Sequence, residues 1–531
     1  MGQDTTARWR ILVFEGSCLF LTCYESLCVT GSWRGGQSPA QPGPAEGRQA
    51  EACEGRVPPL EHGVRLFDTM TREMREIEPA DGKAFRFYCC GPTVYGPAHI
   101  GNFRTFVLND VLRRVMEVSG MRTKHVRNIT DVDDKTIRDS QAAGMALTAF
   151  TEKWTARFHR DCEALHCLEP HVEPRAVKHI PEQIAMIETL IEKGHAYPSG
   201  DGSVYFRIAS FGDYGKLARL DQQELELGKT QDRRANADEY EKDSVSDFVL
   251  WKGRRPDDGD NYWESPWGEG RPGWHLECSA MSFKYLGESF DLHSGGEDLK
   301  FPHHENEIAQ SRCACGGDFA RIWFHPRFLM VDGEKMSKSL NNLYTLEDLG
   351  SDPGATAMEV RYVLISAHHR KQLNFTFDGL HAAREALSKL VRAEARLAKA
   401  AGRDGQAAPS YKELCKLEDH GVFTPALAAL NDDLNTPEGL GQLFTGLRTA
   451  DTEGDPGVNW LGFHAILAAL GLRLPDLEDP EAPPEVVALA EKRQEARVAR
   501  DWAGADAVRD ELKTLGWTVK DGQHGYELKP L

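Results

Sequence analysis

The sequence has no long apolar run and no regular cysteine pattern. The apolar stretch at residues 11–29 is interrupted by Glu15 and Glu25, and a bilayer-spanning helix needs about 20 consecutive apolar residues, so we expect no membrane segment. Twelve cysteines in 531 residues are few and irregularly spaced, which argues against a disulfide framework. We therefore expect a reducing, cytoplasmic setting in which one or two thiolates bind a metal.

Positive charge is also scarce. The chain has 63 Lys and Arg residues against 82 Asp and Glu residues, which gives a formal net charge of −19. This balance excludes indiscriminate binding to nucleic acid, so any nucleic-acid contact must come from local basic patches.

Residues 1–59 differ in composition from the rest of the chain. Residues 11–29 are apolar but interrupted, and residues 31–59 are rich in Gly, Pro, Gln and Ala. Such a composition cannot bury a core, so the segment is predicted to be a disordered or non-native N-terminal extension. A targeting peptide is the lesser alternative, because the apolar centre is broken by charge.

The ordered chain begins with the pattern of a βαβ unit. An apolar strand at residues 85–90 is followed by a Gly/Pro loop, a helical pattern at about 101–118 and a second strand-like segment, TKHVRNIT. Such a unit predicts a parallel sheet, in which ligands bind at the carboxyl ends of strands near helix N-termini that attract phosphate. His99 and Gly101 lie at this position; Gly101 allows a ligand to approach the backbone, and His99 could donate to a phosphate oxygen.

The heptapeptide FPHHENE at residues 301–307 leaves three interpretations open: a metal site, an acid/base catalyst or a polar helix start. Pro302 suits the first turn of a helix. On that helix His303 and Glu307 share a face, whereas His304 and Asn306 point elsewhere. A zinc site needs about four ligands, so the others must come from other parts of the chain.

A second loop could neutralise phosphate. VDGEKMSKSL, residues 331–340, contains a glycine and two lysines ahead of a helix-like stretch. Lys335 and Lys338 could stabilise a triphosphate with flexible ammonium groups. A solvated basic turn is the alternative.

Five strings in order resemble the cysteinyl-tRNA synthetase family of class I aminoacyl-tRNA synthetases: YCCGPTVYGPAHIGN, NITDVDDK, RPGWHLECSAM, DLHSGGEDLKFPHHENEIAQS and EKMSKSLNN. The resemblance implies ATP-dependent activation of L-cysteine and its transfer to tRNA(Cys), with ATP bound together with Mg²⁺ and the protein acting as a monomer. It also implies one zinc ion per chain that recognises the substrate thiolate. One departure is that Asn102 stands where the family has histidine, so a neutral amide would contact ATP.

The resemblance assigns roles to individual residues. The implied zinc ligands are Cys90, Cys278, His303 and Glu307. The implied catalytic residues are His99, Asn102, Lys335 and Lys338, and the ATP site comprises His99, Gly101, Asn102 and Lys338. The residues implied for binding cysteine are Gly91, Thr130, Trp274, His293 and Asp298.

The predicted fold is an α/β protein with a Rossmann-like nucleotide-binding catalytic domain. This class I catalytic domain is predicted at residues 60–375, with an insertion at about 140–252. Apolar residues at three- and four-residue spacing then predict a helical bundle at 376–478. The resemblance implies that this bundle binds tRNA and that residues 479–531 form a small anticodon-region domain.

Two other functions share these motifs. A ligase that passes activated cysteine to a small-molecule amine would have the same catalytic residues but little use for the roughly 150 residues after Phe375. A catalytically silent tRNA-binding paralogue would not need both lysines and all four zinc ligands.

Overall fold

The computed structural model describes residues 63–220, 247–474, 482–522 and 525–530. The predicted N-terminal extension at residues 1–59 lies outside the described residues.

A parallel sheet forms the centre of the molecule. The chain enters through an antiparallel pair, β1 (Arg65–Phe67) and β2 (Met74–Glu76), and continues with β3 (Phe85–Cys89), α1 (Ile100–Val118) and β4 (Thr123–Arg127). Because β3 and β4 pair in parallel, the predicted βαβ unit is confirmed.

Helices and an antiparallel sheet separate the two halves of the central sheet. The helices are α2 (Asp134–Ala142), α3 (Leu147–Ala164) and α4 (Ile180–Glu192). The strands, which pair in chain order, are β5 (Ala196–Pro198), β6 (Val204–Phe206), β7 (Phe248–Gly253) and β8 (Gly270–Pro272).

The second half completes the central sheet. It contains α5 (Trp274–Leu286), β9 (Ser289–Ser294), α6 (His303–Cys315) and β10 (Phe319–Phe324). The strand order is β10-β9-β3-β4, and every pair is parallel. The carboxyl ends of β3, β4 and β9 therefore meet at one edge, where a ligand site is expected.

The remaining elements follow this α/β core. A small mixed sheet with two helices comprises β11 (Leu329–Val331), β12 (Glu334–Lys335), α7 (Leu346–Ser351), α8 (Ala357–Ile365) and β13 (Leu373–Phe375). The bundle comprises α9 (Phe377–Ala400), α10 (Tyr411–Leu414), α11 (Thr424–Asn431), α12 (Thr436–Thr449) and α13 (Pro456–Leu470). The C-terminal elements are α14 (Pro484–Val498), α15 (Trp502–Thr514), β14 (Trp517–Gly522) and β15 (Gly525–Pro530). None of the helices in the described ranges combines the length and apolar composition that spanning a bilayer requires.

One hydrophobic core runs from the central sheet into the bundle. It includes Phe85 of β3, Val107 of α1 and Leu467 of α13. A buried arginine joins the two regions: Arg361 of α8 forms an ion pair with Asp110 of α1, and its Nε donates to the carbonyl of Leu470 of α13 at 2.9 Å. The C-terminal elements have a separate small core, formed by Val486, Ala490, Leu512 and Trp517.

Candidate metal and nucleotide site

Two cysteines, a histidine and a glutamate meet at the carboxyl edge of the central sheet. Cys90 directly follows β3, Cys278 lies on α5, and His303 and Glu307 lie one turn apart on α6. Cys90 Sγ is 3.9 Å from Cys278 Sγ and 3.6 Å from Glu307 Oε1, and His303 Nε2 is 3.0 Å from the same carboxylate oxygen. All four side chains are buried, and their ligand atoms lie within 4.8 Å of one another.

Strand geometry decides which of the two adjacent cysteines reaches this point. Successive side chains on a strand point to opposite faces. Cys89 packs into the core shared with α1, whereas Cys90 packs with Tyr88 and Cys278 on the other face. The sequence alone left this choice to the resemblance, and the structure brings Cys90 together with the other three groups.

The charges at this point suit a cation. Burial opposes ionisation of Glu307, but His293 and His303 lower its pKa to about 2. Burial also opposes the charged form of His303, and Glu307 and Cys278 nevertheless raise its pKa to about 10. Burial raises the pKa of Cys90, whereas hydrogen bonds from Cys90 and His303 lower the pKa of Cys278 to about 6 despite its burial.

The donor set fits a tetrahedral zinc ion. Two sulfur atoms, one imidazole nitrogen and one carboxylate oxygen are ligands that zinc accepts, and a buried set of four matches the usual coordination number. Binding of zinc to the His303 ring nitrogen would displace a proton, because the raised pKa of His303 keeps this ring protonated near neutral pH.

Two further histidines contact this cluster. His293 Nε2 lies 2.9 Å from Glu307 Oε2, and His304 Nε2 lies 3.4 Å from Cys90 Sγ. With Cys90 and Glu307 they form a second group of possible ligands. Because each can donate a hydrogen bond to a neighbouring ligand atom, we interpret them as supports of the first group.

The expectation that His304 points away from the site is wrong. A helix with one solvent face would turn it outward, but α6 is buried on nearly every side, so residues on adjacent faces both meet protein. Cys90 of the sheet contacts His304, while the other ring nitrogen of His304 lies 2.7 Å from His325 Nε2.

The remaining polar residues of FPHHENE hold a neighbouring segment. The Glu305 carboxylate accepts from the Gly215 N–H at 2.7 Å and the Ala218 N–H at 2.9 Å. Asn306 Oδ1 accepts from the Tyr214 hydroxyl at 2.5 Å, away from the cluster as expected. These two residues therefore fix chain position and take no part in metal chemistry.

His99 and Asn102 form the N-terminal cap of α1. The Asn102 N–H donates to His99 Nδ1 at 3.3 Å, and the His99 N–H donates to Asn102 Oδ1 at 3.1 Å. Burial lowers the pKa of His99, so the ring is neutral, and an accepting Nδ1 leaves the hydrogen on Nε2. His99 Nε2 can thus donate to an anion at the helix N-terminus, while the Asn102 oxygen is already occupied by the cap.

The N-terminus of α1 lies close to residues 331–340, here called the lysine loop. A Cβ added to Gly101 would lie 3.0 Å from Met336 Sδ of the lysine loop, which shows how close the backbone of α1 comes to that loop. The N–H of Ile100 donates to the carbonyl of Tyr344 at 2.9 Å, just beyond the loop. Lys335 is exposed on β12. Lys338 begins a short 3-10 turn, and its side chain lies outside the described part of the structure.

Of the five residues expected to bind cysteine, Trp274 and His293 contact the cluster directly. The Trp274 ring lies 4.6 Å from the His303 ring, and His293 contacts Glu307 as described above. Asp298 reaches solvent, yet protein surrounds most of it, and this burial raises its pKa although the positive charges of His303 and Lys335 act in the opposite direction. The charges of both His303 and Lys335 therefore act on the Asp298 carboxyl.

Gly91 and Thr130 meet across the ends of β3 and β4. A Cβ at Gly91 would lie 1.6 Å from the Asn128 carbonyl oxygen, so only glycine allows this approach. The N–H of Thr130 donates to the Pro92 carbonyl at 3.1 Å. Sequence reasoning did not single out Asn128, nor His275, whose Nδ1 lies 2.8 Å from His303 Nδ1. Their only signal was their place in NITDVDDK and RPGWHLECSAM.

Comparison with known proteins agrees with this geometry. Residues 76–385 match a family model of the class I (C) tRNA synthetase catalytic domain, and residues 479–526 match the cysteinyl-tRNA ligase anticodon-binding domain. A cysteine–tRNA ligase of Opitutus terrae is 54% identical over 474 residues, which cover 88% of this chain and 99% of the relative. One from Chlamydia trachomatis serovar A is 42% identical over 483 residues, with the same shares.

A solved structure supports the fold. Mycobacterium tuberculosis methionyl-tRNA synthetase in complex with methionyl-adenylate aligns with a TM-score of 0.52 at 14% identity, over 74% of this chain and 92% of the other. At this identity the likeness shows the fold alone, and it agrees with the predicted Rossmann-like α/β class.

Proposed function

This chain belongs to the cysteine–tRNA ligase family of class I aminoacyl-tRNA synthetases, and we propose that it activates L-cysteine with ATP and transfers the cysteinyl group to tRNA(Cys). The observation that carries the proposal is that the buried side chains of Cys90, Cys278, His303 and Glu307 meet at the carboxyl edge of the central sheet.

The proposed zinc ligands are these four residues. Their sulfur, nitrogen and oxygen donors and their complete burial support zinc over magnesium or calcium, which prefer oxygen ligands. A zinc ion held there would supply a soft acid for the thiolate of cysteine, for which the hydroxyl of serine is a much poorer ligand. His293 and His304 would orient Glu307 and Cys90 by hydrogen bonds.

Binding of the substrate thiolate to zinc would select cysteine by ligand chemistry, and the size of the pocket would matter less. A pocket that discriminates by shape gains only ~1–3 kcal/mol per methylene-sized difference. Ligand chemistry separates sulfur from oxygen far more strongly, so we expect no editing activity. Trp274 and Asp298 would line the rest of the cysteine pocket, and Gly91 and Thr130 its far side.

The proposed reaction has two steps. The cysteine carboxylate attacks the α-phosphate of ATP and pyrophosphate leaves; a hydroxyl of the terminal tRNA ribose then attacks the acyl carbon and AMP leaves. His99 would donate from Nε2 to a phosphate oxygen, while Lys335 and Lys338 would neutralise the leaving pyrophosphate. Gly101 and Asn102 would hold ATP, together with Mg²⁺, against the N-terminus of α1. Catalysis of this kind depends on positioning and charge neutralisation.

The other regions have proposed roles as well. The predicted boundaries at 375 and 478 assign the helices after Phe375 to tRNA binding and the C-terminal elements to the anticodon region. We propose a cytoplasmic monomer, and the eight cysteines in the described ranges, all of them free thiols, agree with a reducing compartment. Size-exclusion chromatography with light scattering should give a mass near 59.2 kDa.

The small-molecule ligase is not favoured. The alignment with the cysteine–tRNA ligase of Opitutus terrae covers 99% of that protein, and residues 479–526 match an anticodon-binding family model. A small amine acceptor would require neither.

The test is aminoacylation of purified tRNA(Cys) by the full-length protein with ATP and labelled cysteine. Formation of cysteinyl-tRNA at catalytic rates is expected. Pyrophosphate exchange without transfer to tRNA would contradict the proposal and favour a different acceptor.

A further inference from the structure

Asn128 joins two of the residues proposed to bind cysteine. It directly follows β4 and is 1% exposed. The N–H of Gly91 donates to Asn128 Oδ1 at 2.8 Å, and Asn128 Nδ2 donates to Thr130 Oγ1 at 3.0 Å. Because only the amide oxygen can accept from Gly91, the amide orientation is fixed and its nitrogen faces Thr130.

The Thr130 hydroxyl is left with limited hydrogen-bonding capacity. A hydroxyl has one hydrogen and two lone pairs, and Asn128 occupies one lone pair. The Glu277 carboxyl lies beside this hydroxyl and is fully buried, although within the described residues neither of its oxygens reaches hydrogen-bond geometry. If the hydroxyl hydrogen turns toward Glu277, one lone pair remains to accept from a ligand N–H.

The backbone around Thr130 is also fixed. Its N–H donates to the Pro92 carbonyl at 3.1 Å, and its carbonyl accepts from the Val94 N–H at 3.2 Å. The backbone N–H of Thr130 is therefore not available to a ligand, and its carbonyl keeps one lone pair. These bonds and those of Asn128 join the loop after β3 to the end of β4.

We propose that Asn128 is a positioning residue that aims the Thr130 hydroxyl at the α-amino group of the amino-acid substrate. The inference rests on the proposed function, because it assumes that the bound molecule is an amino acid. If Asn128 only held the loop in place, its replacement would weaken the binding of every ligand equally. If Asn128 positions Thr130, its replacement weakens the binding of ligands with an amino group and leaves the affinity for ligands without one unchanged.

Two thiols separate these cases in the full-length protein. L-cysteine has an amino group, and 3-mercaptopropionate has the same thiol and carboxylate without it. Asn128→Ala should raise the KM for cysteine in ATP–pyrophosphate exchange about tenfold, while the KM for ATP and the inhibition constant of 3-mercaptopropionate stay unchanged. Asn128→Ser leaves a smaller cavity and serves as a second variant if the alanine protein is unstable.

Asn459 provides a matched control. It is also fully buried and also joins two segments, because its Oδ1 accepts from the Val422 N–H at 3.1 Å and its Nδ2 donates to the Glu453 carbonyl at 2.7 Å. Asn459→Ala should lower the thermal stability of the protein without changing its affinity for cysteine or for 3-mercaptopropionate.

A double-mutant cycle tests whether Asn128 acts through Thr130. In a Thr130→Val background, Asn128→Ala should cause no further loss of cysteine affinity. In a Thr130→Ser background, which keeps the hydroxyl, Asn128→Ala should still lower the affinity for cysteine. Equal weakening of cysteine and 3-mercaptopropionate, or additive losses with Thr130→Val, would overturn the inference. Failure of the proposed function looks different, since the wild-type protein would then show no cysteine-dependent exchange.

Discussion

Replacing Cys278 by serine removes one of the four proposed zinc ligands and keeps the size of the side chain. Cys278 Sγ lies 3.9 Å from Cys90 Sγ, and His303 lowers the pKa of Cys278 by a hydrogen bond, so the thiolate is part of the cluster. A zinc site of four ligands contributes about 10–16 kcal/mol, or roughly 3–4 kcal/mol per ligand. We therefore expect Cys278→Ser to weaken zinc binding by roughly a hundredfold to a thousandfold.

The assay is competition with a chelator of known affinity, read by metal analysis of the protein. The wild type should retain one zinc ion per chain, and Cys278→Ser should lose it at much lower chelator concentration and require more cysteine for exchange. Cys313→Ser is the matched control, because Cys313 is buried on the adjacent helix α6 but packs into a different core cluster. Absence of zinc from the wild type, or equal losses in both variants, would refute the ligand assignment.

Three further predictions follow from other parts of the chain. Lys338→Ala should slow pyrophosphate exchange by roughly a hundredfold to a thousandfold (~2–4 kcal/mol) with the KM for cysteine unchanged, because a charge contact in the transition state is lost; an equal loss in affinity at unchanged kcat would contradict this. A chain that ends at residue 474 should retain exchange but lose tRNA charging, since the C-terminal elements have their own core, whereas deletion of residues 1–59 should change neither reaction. Glu173→Gln should lower the free energy of unfolding near neutral pH by about 3 kcal/mol. Burial opposes the charge of Glu173, but Arg127 and His159 lower its pKa from 4.5 to about 2. The stabilisation is therefore complete above pH 4.5 and is lost as the pH falls toward 2. Urea unfolding of both proteins across this range checks it, and a constant difference would contradict the assignment.

Local pattern was sufficient to predict the elements that frame the site. The apolar strand at 85–90 and the helical pattern at 101–118 became β3 and α1 with shifts of one residue at one end. Apolar residues at three- and four-residue spacing likewise predicted helices after residue 375, where α9 and α12 each bury one stripe of side chains.

Long-range contacts were not predictable in this way. Cys278 and His303 are 25 residues apart in the chain, and no periodicity states that α5 and α6 bring them to the end of β3. The resemblance supplied that set. His304 was misjudged because a helical wheel assumes a solvent face, which α6 lacks.

No local sequence pattern predicted how the helices after Phe375 pack against the preceding α/β domain. The core is continuous from the central sheet into the bundle, and two buried polar contacts cross residue 375. Arg361 Nε donates to the Leu470 carbonyl at 2.9 Å, and His369 Nε2 lies 3.0 Å from Asp433 Oδ1. A truncation at 375 would expose this core and remove these partners of buried polar groups. The truncation at 474 keeps both contacts and is therefore the better test of the role proposed for the C-terminal elements in tRNA binding.

Selection of cysteine through its sulfur atom requires the metal at the buried cluster. ATP–pyrophosphate exchange by the full-length protein with cysteine, serine, alanine and valine, before and after removal of metal by a chelator, tests this selection. We expect rapid exchange with cysteine alone, its loss on chelation, and its recovery when zinc is restored. Comparable exchange with serine, or unchanged exchange with cysteine after the metal is removed, would contradict it.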